Sequence, residues 1–308
     1  MKPHEDLIRD LQCHAQHLLD GVGLKVLEWD SRPLFQSWKT LVLGALSVEG
    51  RIVIQKKNMP RKSLKSRISN LEEAKLLLES VTGIEVPSVL AYDLDRRIVI
   101  MTCAPGETLT KTLLKKSQRG GVFPACSWMF ESCAGALAAF HHSTPSETTG
   151  HVRLYGDFGP QNILVDEANR LLTLIDLPSK WSSGMPEQDL GHASLEWLRL
   201  GLRRPTLRFL IDLSRGRLRF LACYSAAFEG SAFSLLHVHR EEQIRLTHLF
   251  KVAWKFARCR YGWRNSYRFF IIAPALGVLK FVLVPLQHSL ERRLERRTGV
   301  HFKSQKWR

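Results

Sequence analysis

LYGDFGPQNILVDEANRLLTLIDLP, residues 154–178, sets Asp157, Asn162 and Asp176 around two short apolar runs, NILVD and LLTLIDL. Runs of this length, separated by polar turn residues, read as a short hairpin. Two carboxylates and a carboxamide in this order supply hard oxygen donors, the kind that Mg2+ prefers and on which a nucleotide can be held. They stand in a chain whose formal charge is +16.

Outward from this stretch, CSWMFESCAGALAAFHHS (126–143) is rich in small residues and reads as a largely buried helix. Before it, VPSVLAYDLDRRIVIMTCAPGETL (86–109) reads as two strands around a turn at Asp93-Leu94-Asp95, closing in a Pro105-Gly106 turn. SNLEEAKLLLESVTG (69–83) has Ser69 or Asn70 as a helix cap, acids in the first turn, an apolar stripe and a terminating Gly83. KTLVLGALSVEGRIVIQKK (39–57) reads as two antiparallel strands joined at Glu49-Gly50, the second rich in β-branched residues. At residues 4–20, Leu7, Ile8, Leu11, Ala15, Leu18 and Leu19 recur at helical intervals. Beyond residue 190 the pattern is mainly helical, with arginine on almost every turn. A strand-rich first part followed by helices and an acid-bearing hairpin predicts a bilobal α+β protein.

At 308 residues the chain can bury a full core. Its hydrophobic content of 44% and charged content of 24% argue against wholesale disorder. The charge is unevenly placed: residues 1–189 hold 22 Lys+Arg and 22 Asp+Glu, residues 190–308 hold 23 and 7. A neutral body with a basic C-terminal part points to a polyanionic surface, either lipid headgroups or nucleic acid. The six cysteines (Cys13, Cys103, Cys126, Cys133, Cys223 and Cys259) show no CxxC pairing and no histidine at zinc spacing, so packed, reduced thiols are expected. MKPHEDLIRDLQCHAQHLLD lacks the unbroken apolar core of a signal peptide, so a cytosolic location is expected.

GDFGPQNILVD resembles the catalytic loop, and LIDLP the metal-binding strand end, of the protein-kinase-like phosphotransferases. The resemblance is closest to the branch of aminoglycoside, small-molecule and lipopolysaccharide kinases, and covers residues 24–200. It implies a small antiparallel-sheet N-lobe with one helix, a mainly helical C-lobe, and ATP and Mg2+ as cofactors. It also implies transfer of phosphate to a hydroxyl of a small molecule, sugar or lipid-linked glycan. Asp157 would orient and deprotonate the acceptor, while Asn162 and Asp176 would hold Mg2+. Lys56 would hold the α- and β-phosphates with Glu73 fixing its ammonium group. Because successive strand residues face opposite ways, Lys57 is the alternative to Lys56. Backbone groups of Met101, Thr102 and Ala104 would meet the adenine, and Asp189 would brace the catalytic loop. The chain departs from the family in Tyr155, which stands where the loop carries histidine. It also lacks a glycine-rich loop, so phosphate coverage is expected from a turn around Asp30 to Ser37. These departures keep open a second function, a catalytically silent kinase-like scaffold.

The domains expected on this basis are residues 1–103, an N-terminal helix and N-lobe; 104–200, the catalytic core; and 201–308, a basic helical region. RRPTLRFLIDLSRGRLRFLACY and IRLTHLFKVAWKFARCRYGWRNSYRFF alternate arginines with large apolar residues, as helices lying in a bilayer interface do. Residues 269–286 have the length of a spanning helix but contain Pro274, Lys280 and Pro285, so a shallow insertion and a buried helix both remain open. No RNA-binding motif accompanies the basic residues. The expected partner is therefore an anionic membrane surface on the cytoplasmic side, not nucleic acid. His141, His142, His237 and His239 lack a convincing ligand set and are expected as core or surface residues.

Overall fold

The computed structural model describes residues 3–37, 40–119, 121–123, 125–143, 151–178, 181–204, 206–228, 237–247 and 289. The chain divides into two compact units. The first comprises residues 1–79, 85–106 and 173–180, and the second residues 80–84, 107–172 and 181–308.

The first unit begins with α1 (Pro3–Gly21), whose Leu11, Ala15 and Leu19 are fully buried. An antiparallel sheet follows: β1 (Val26–Trp29), β2 (Phe35–Gln36), β3 (Thr40–Ser47) and β4 (Gly50–Lys57). After it come α2 (Arg61–Leu78), β5 (Ile84–Glu85), where the chain passes between units, β6 (Val89–Asp93) and β7 (Ile98–Thr102). The sheet order is β1-β3-β4-β7-β6, with β2 also on β3. Strand alternation gives the sheet two apolar faces. Ile52, Ile54, Ile98 and Ile100 cluster with Leu11, Ala15 and Leu19 of α1, whereas Gln55, Lys57, Val99 and Met101 line a void with Leu64, Ile68 and Leu71 of α2. The β3–β4 turn falls where the sequence predicts it, with Gly50 at a φ of 122° that disfavours side chains. The β6–β7 turn is closed by Asp93, whose carboxylate accepts from the amides of Asp95 and Arg96.

Both expected ends of α2 are displaced, and the helix stops at Leu78, five residues before Gly83. α2 starts at Arg61, so Ser69 and Asn70 lie inside it rather than capping it. Pro60 precedes the helix with no side-chain cap, and the apolar stripe runs back through Leu64 and Ile68. Packing of that stripe sets the helix, overriding the local cap signal.

The second unit contains β8 (Glu107–Thr108), α3 (Leu109–Gln118), α4 (Ser127–His142), β9 (Val152–Leu154), β10 (Ile163–Asp166), β11 (Leu171–Leu174), β12 (Ser182–Gly184), α5 (Pro186–Arg203) and α6 (Leu207–Ala227), then a helical segment at 237–247. β11 carries the chain back into the first unit. The short sheet runs β5-β11-β10-β8, which makes NILVD and LLTLIDL neighbours as expected, and β9 pairs with β12. The helical core is aromatic: Trp197 of α5 meets Phe130 of α4 edge-on at 5.1 Å and Phe220 of α6 at 4.6 Å. Gly216 lets α6 come close to α4, because a Cβ there would run into the Phe130 ring.

α6 revises the bilayer-interface expectation for its stretch of sequence. Phe209, Leu210, Leu213, Phe220, Leu221 and Tyr224 are buried in the protein, where each large apolar side chain contributes about 1.5–3 kcal/mol. Arg217 is not a solvent-facing base either. It is 1% exposed, paired with Glu242 at 2.7 Å and donating to Ser194 at 2.9 Å. Among the described residues no helix is long and apolar enough to cross a membrane. Residues 269–286 and the basic stretch after residue 247 lie outside the described residues.

Candidate active site

The first unit presents a cation cluster on Asp176. Lys57, the last residue of β4, places its Nζ 3.9 Å from Asp176 Oδ1. Arg67 of α2 forms an ion pair with the same oxygen and donates through Nε to the Leu177 carbonyl at 2.8 Å. Asn70, one helical turn on, donates to the Pro178 carbonyl at 2.7 Å. α2 thus staples the 176–178 segment in place, the reason that its mid-helix Asn70 is buried. The Lys57 side chain is 12% exposed. Burial first, and then the nearby Arg67 charge, pull its pKa down to about 8, with Asp176 acting in the opposite direction. Two cations on one carboxylate make a locale suited to added negative charge, such as phosphate oxygens.

Of the two lysine alternatives, Lys56 faces the other way. Its Nζ lies 3.9 Å from Asp10 Oδ2 of α1. Glu73 is half-buried, and by helical period falls on the side of α2 away from Leu64, Ile68, Leu71 and Ala74. Arg67 is the α2 residue that ion-pairs with Asp176 beside Lys57. Met101 is 3% exposed within β7 and pairs with Val53 and Val89. The amide of Thr102 donates to Ser88 O, and that of Cys103 to Arg51 O, both at 2.9 Å. Ala104 lies beyond the strand end. The turn from Asp30 to Ser37 contains β2, and Asp30 is held by Arg51 at 2.5 Å. Gly44 makes room for the Asp30 carboxylate, which an added Cβ would strike.

The second unit presents the catalytic-loop candidate. Tyr155 is 1% exposed, packed edge-on against Phe140 at 5.4 Å and Phe158 at 5.2 Å. Gly156 then turns the chain with a φ of 82°. The Tyr155 and Gly156 amides donate to the two oxygens of Asp189, at 2.6 and 2.8 Å. Fully buried Asp189 also meets His141 Nε2 at 3.1 Å, and His141 Nδ1 lies 2.5 Å from the Tyr224 hydroxyl. Burial holds the Tyr224 pKa well above its ordinary value, so its hydroxyl keeps its proton in this buried cluster. This frame ties the loop to α4, α5 and α6.

Asp157 follows, with its side chain 57% exposed. A 3-10 turn at Pro160–Asn162 brings Asn162 back, its Nδ2 donating to Asp157 O at 3.0 Å and Oδ2 at 3.1 Å. With the nitrogen committed to two acceptors, the Asn162 Oδ1 is directed elsewhere and is a hard donor fit for a divalent cation. His192 Nε2 lies 3.2 Å from Asp157 Oδ1, and Arg245 NH1 lies 3.1 Å from His192 Nδ1.

No family model matches the chain, and no curated protein sequence matches it. Solved structures do match in shape. A Ralstonia eutropha structure described as a candidate aminoglycoside phosphotransferase aligns at TM-score 0.56 over 88% of this chain and 93% of its own, at 10% identity. The chain has the fold of the protein-kinase-like phosphotransferases. An aminoglycoside phosphotransferase of Streptomyces rimosus (TM-score 0.45, 15% identity, 76% of this chain and 96% of that one) and WaaP in complex with acyl carrier protein (0.42, 18%, 74% and 89%) are weaker likenesses. At such identities the likeness is one of fold.

His141, expected as a core or surface residue, is in the core, and within this kinase-like fold the residues that the sequence did not signal are Arg67, His192 and Arg245. Each belongs to a helix remote in sequence from the carboxylate or loop that it serves, and none carries a motif. Only Asp189 signalled itself, in the first turn of a helix.

Proposed function

We propose that the chain is an ATP- and Mg2+-dependent phosphotransferase acting on a hydroxyl of a small molecule, sugar or lipid-linked glycan at the cytoplasmic face of a membrane. The observation that carries this is the Asp157 carboxylate, exposed yet held between Asn162 and His192 on a loop anchored by buried Asp189. Phosphoryl transfer demands mainly positioning and charge neutralisation, and such a carboxylate supplies the first. Asp157 accepts the proton of the acceptor hydroxyl as its oxygen bonds to the γ-phosphorus. The bond from that phosphorus to the bridging oxygen breaks, and the nucleoside diphosphate leaves with the electron pair. Lys57 serves as the phosphate lysine, being the member of the pair that sits with Asp176. Asn162 through Oδ1 and Asp176 through its carboxylate are the residues that would hold Mg2+, which would neutralise phosphate charge. Backbone groups of the strand end at 101–104 would meet the adenine. The membrane part of the reading rests on the sequence beyond residue 247, which holds 14 Lys+Arg against 2 Asp+Glu.

A silent scaffold is the second reading, favoured by the Arg67 ion pair on Asp176, which competes with any metal for that carboxylate. Incubating γ-labelled ATP with a cell extract, then separating lipid, glycan and protein, tells the two apart. Label confined to one fraction and absent with Asp157→Asn supports the enzyme and names its acceptor class. Absence of Asp157-dependent label in every fraction supports the scaffold.

A further inference from the structure

His192 and Arg245 lie outside the motif that suggests phosphoryl transfer, yet they complete a chain of contacts onto its base. Arg245 NH1 is 3.1 Å from His192 Nδ1, and His192 Nε2 is 3.2 Å from Asp157 Oδ1. A guanidinium only donates, so Nδ1 must be the bare, accepting nitrogen and the ring proton must lie on Nε2, directed at the carboxylate. The direction of every bond in the chain is thereby set: Arg245 to His192, His192 to Asp157.

We propose that His192 is a positioning residue, locked by Arg245 as the neutral Nε2–H tautomer, that fixes the plane of the Asp157 carboxylate for proton abstraction. This deepens the phosphotransferase reading and rests on it. The second torsion of an aspartate is broad when nothing holds it. Here His192 holds Oδ1 while Asn162 holds Oδ2, so rotation is opposed from both sides and the remaining lone pairs keep one orientation. A base fixed in this way avoids much of the ordering cost of reaching the reactive geometry. The support for His192 is itself built in. Its neighbour Gly191 is buried where the 237–247 segment crosses α5, and a Cβ there would stand 2.8 Å from Glu241 Cβ and 3.3 Å from the Val238 carbonyl. The absence of that Cβ lets the segment bearing Arg245 approach the turn of α5 that bears His192.

Two measurements on the full chain test this. In nitrogen-labelled histidine NMR, with the His192 signals assigned by their loss in His192→Gln, the wild type should show the Nε2–H tautomer alone. Arg245→Met should release a mixture of tautomers. In γ-phosphate transfer, His192→Ala should lower kcat about tenfold or more with KM for ATP within about twofold. His192→Gln, whose amide also donates, should recover most of the loss. A ring protonated at Nδ1, or an unchanged kcat in His192→Ala, overturns the proposal. If the wild type transfers no phosphate, the phosphotransferase reading and the catalytic role of His192 fall together. The tautomer experiment then still decides whether Arg245 orders the ring against Asp157.

Discussion

Asp157 and Asp176 stand nineteen residues apart in one stretch of sequence, and the two units hold them by opposite means. Asp157 sits on a loop fixed from beneath by a buried hydrogen-bonded frame, Asp189 with His141 and Tyr224, and its own carboxylate accepts from the neutral Asn162 amide and lies 3.2 Å from His192 Nε2. Asp176 is gripped directly by cations, Arg67 and Lys57. Neutral donors orient a carboxylate without removing its capacity to take a proton, which suits a base. Cations give an anionic ligand something to approach, which suits a phosphate locale.

The largest expected effect breaks the frame. In Asp189→Asn one side-chain oxygen becomes an amide N–H facing the Tyr155 or Gly156 amide, donor against donor, in a site with no exposure. A loss of about 3 kcal/mol is expected, read as a lower urea midpoint, with phosphate transfer lost as the loop shifts. A midpoint equal to wild type would show that the loop does not depend on this anchor.

Next in size is the contrast of the two lysines. Lys57→Met should weaken nucleotide binding by about tenfold, the equivalent of one lost charge-assisted contact, whereas Lys56→Met should leave it within about twofold. Equilibrium titration with a fluorescent ATP analogue measures both. The reverse ranking would restore Lys56 as the phosphate lysine.

A smaller effect sharpens the same comparison. Lys57 loses its proton around pH 8 in the free protein, and phosphate beside it favours the charged form, so nucleotide binding should take up protons between about pH 8 and 9. Binding heats in buffers of different ionisation enthalpy should reveal that uptake in wild type and its absence in Lys57→Met. The same depressed pKa makes burial of the charged lysine a cost below pH 8. That cost is relieved as pH rises toward 10.5, so the free protein should gain stability across that window.

How much of this was readable in the sequence follows from range. The Asp157–Asn162 bond spans five residues and the β3–β4 hairpin a single turn, so spacing and alternation revealed them. Alternation also said that Lys56 and Lys57 point apart. It did not say which face α1 would cover, because that depends on Leu11, Ala15 and Leu19 meeting Ile52 and Ile54 across some forty residues. The start of α2 was hidden because RKSLKSRIS looks solvated until Leu64 and Ile68 find the sheet. The arginines of α6 misled for a related reason. Arg217 buried on Glu242 and an arginine facing lipid headgroups give the same alternation of bases and large apolar residues.

The most direct test of the central claim, that Asp157 is the base of a phosphotransferase, measures nucleotide affinity and γ-phosphate release together in wild type and Asp157→Asn. Asp157→Asn should change Kd by no more than about twofold, because the substituted side chain is more than half exposed, and should lower turnover by about a hundredfold or more. Turnover equal in the two proteins, or none in the wild type, would contradict it.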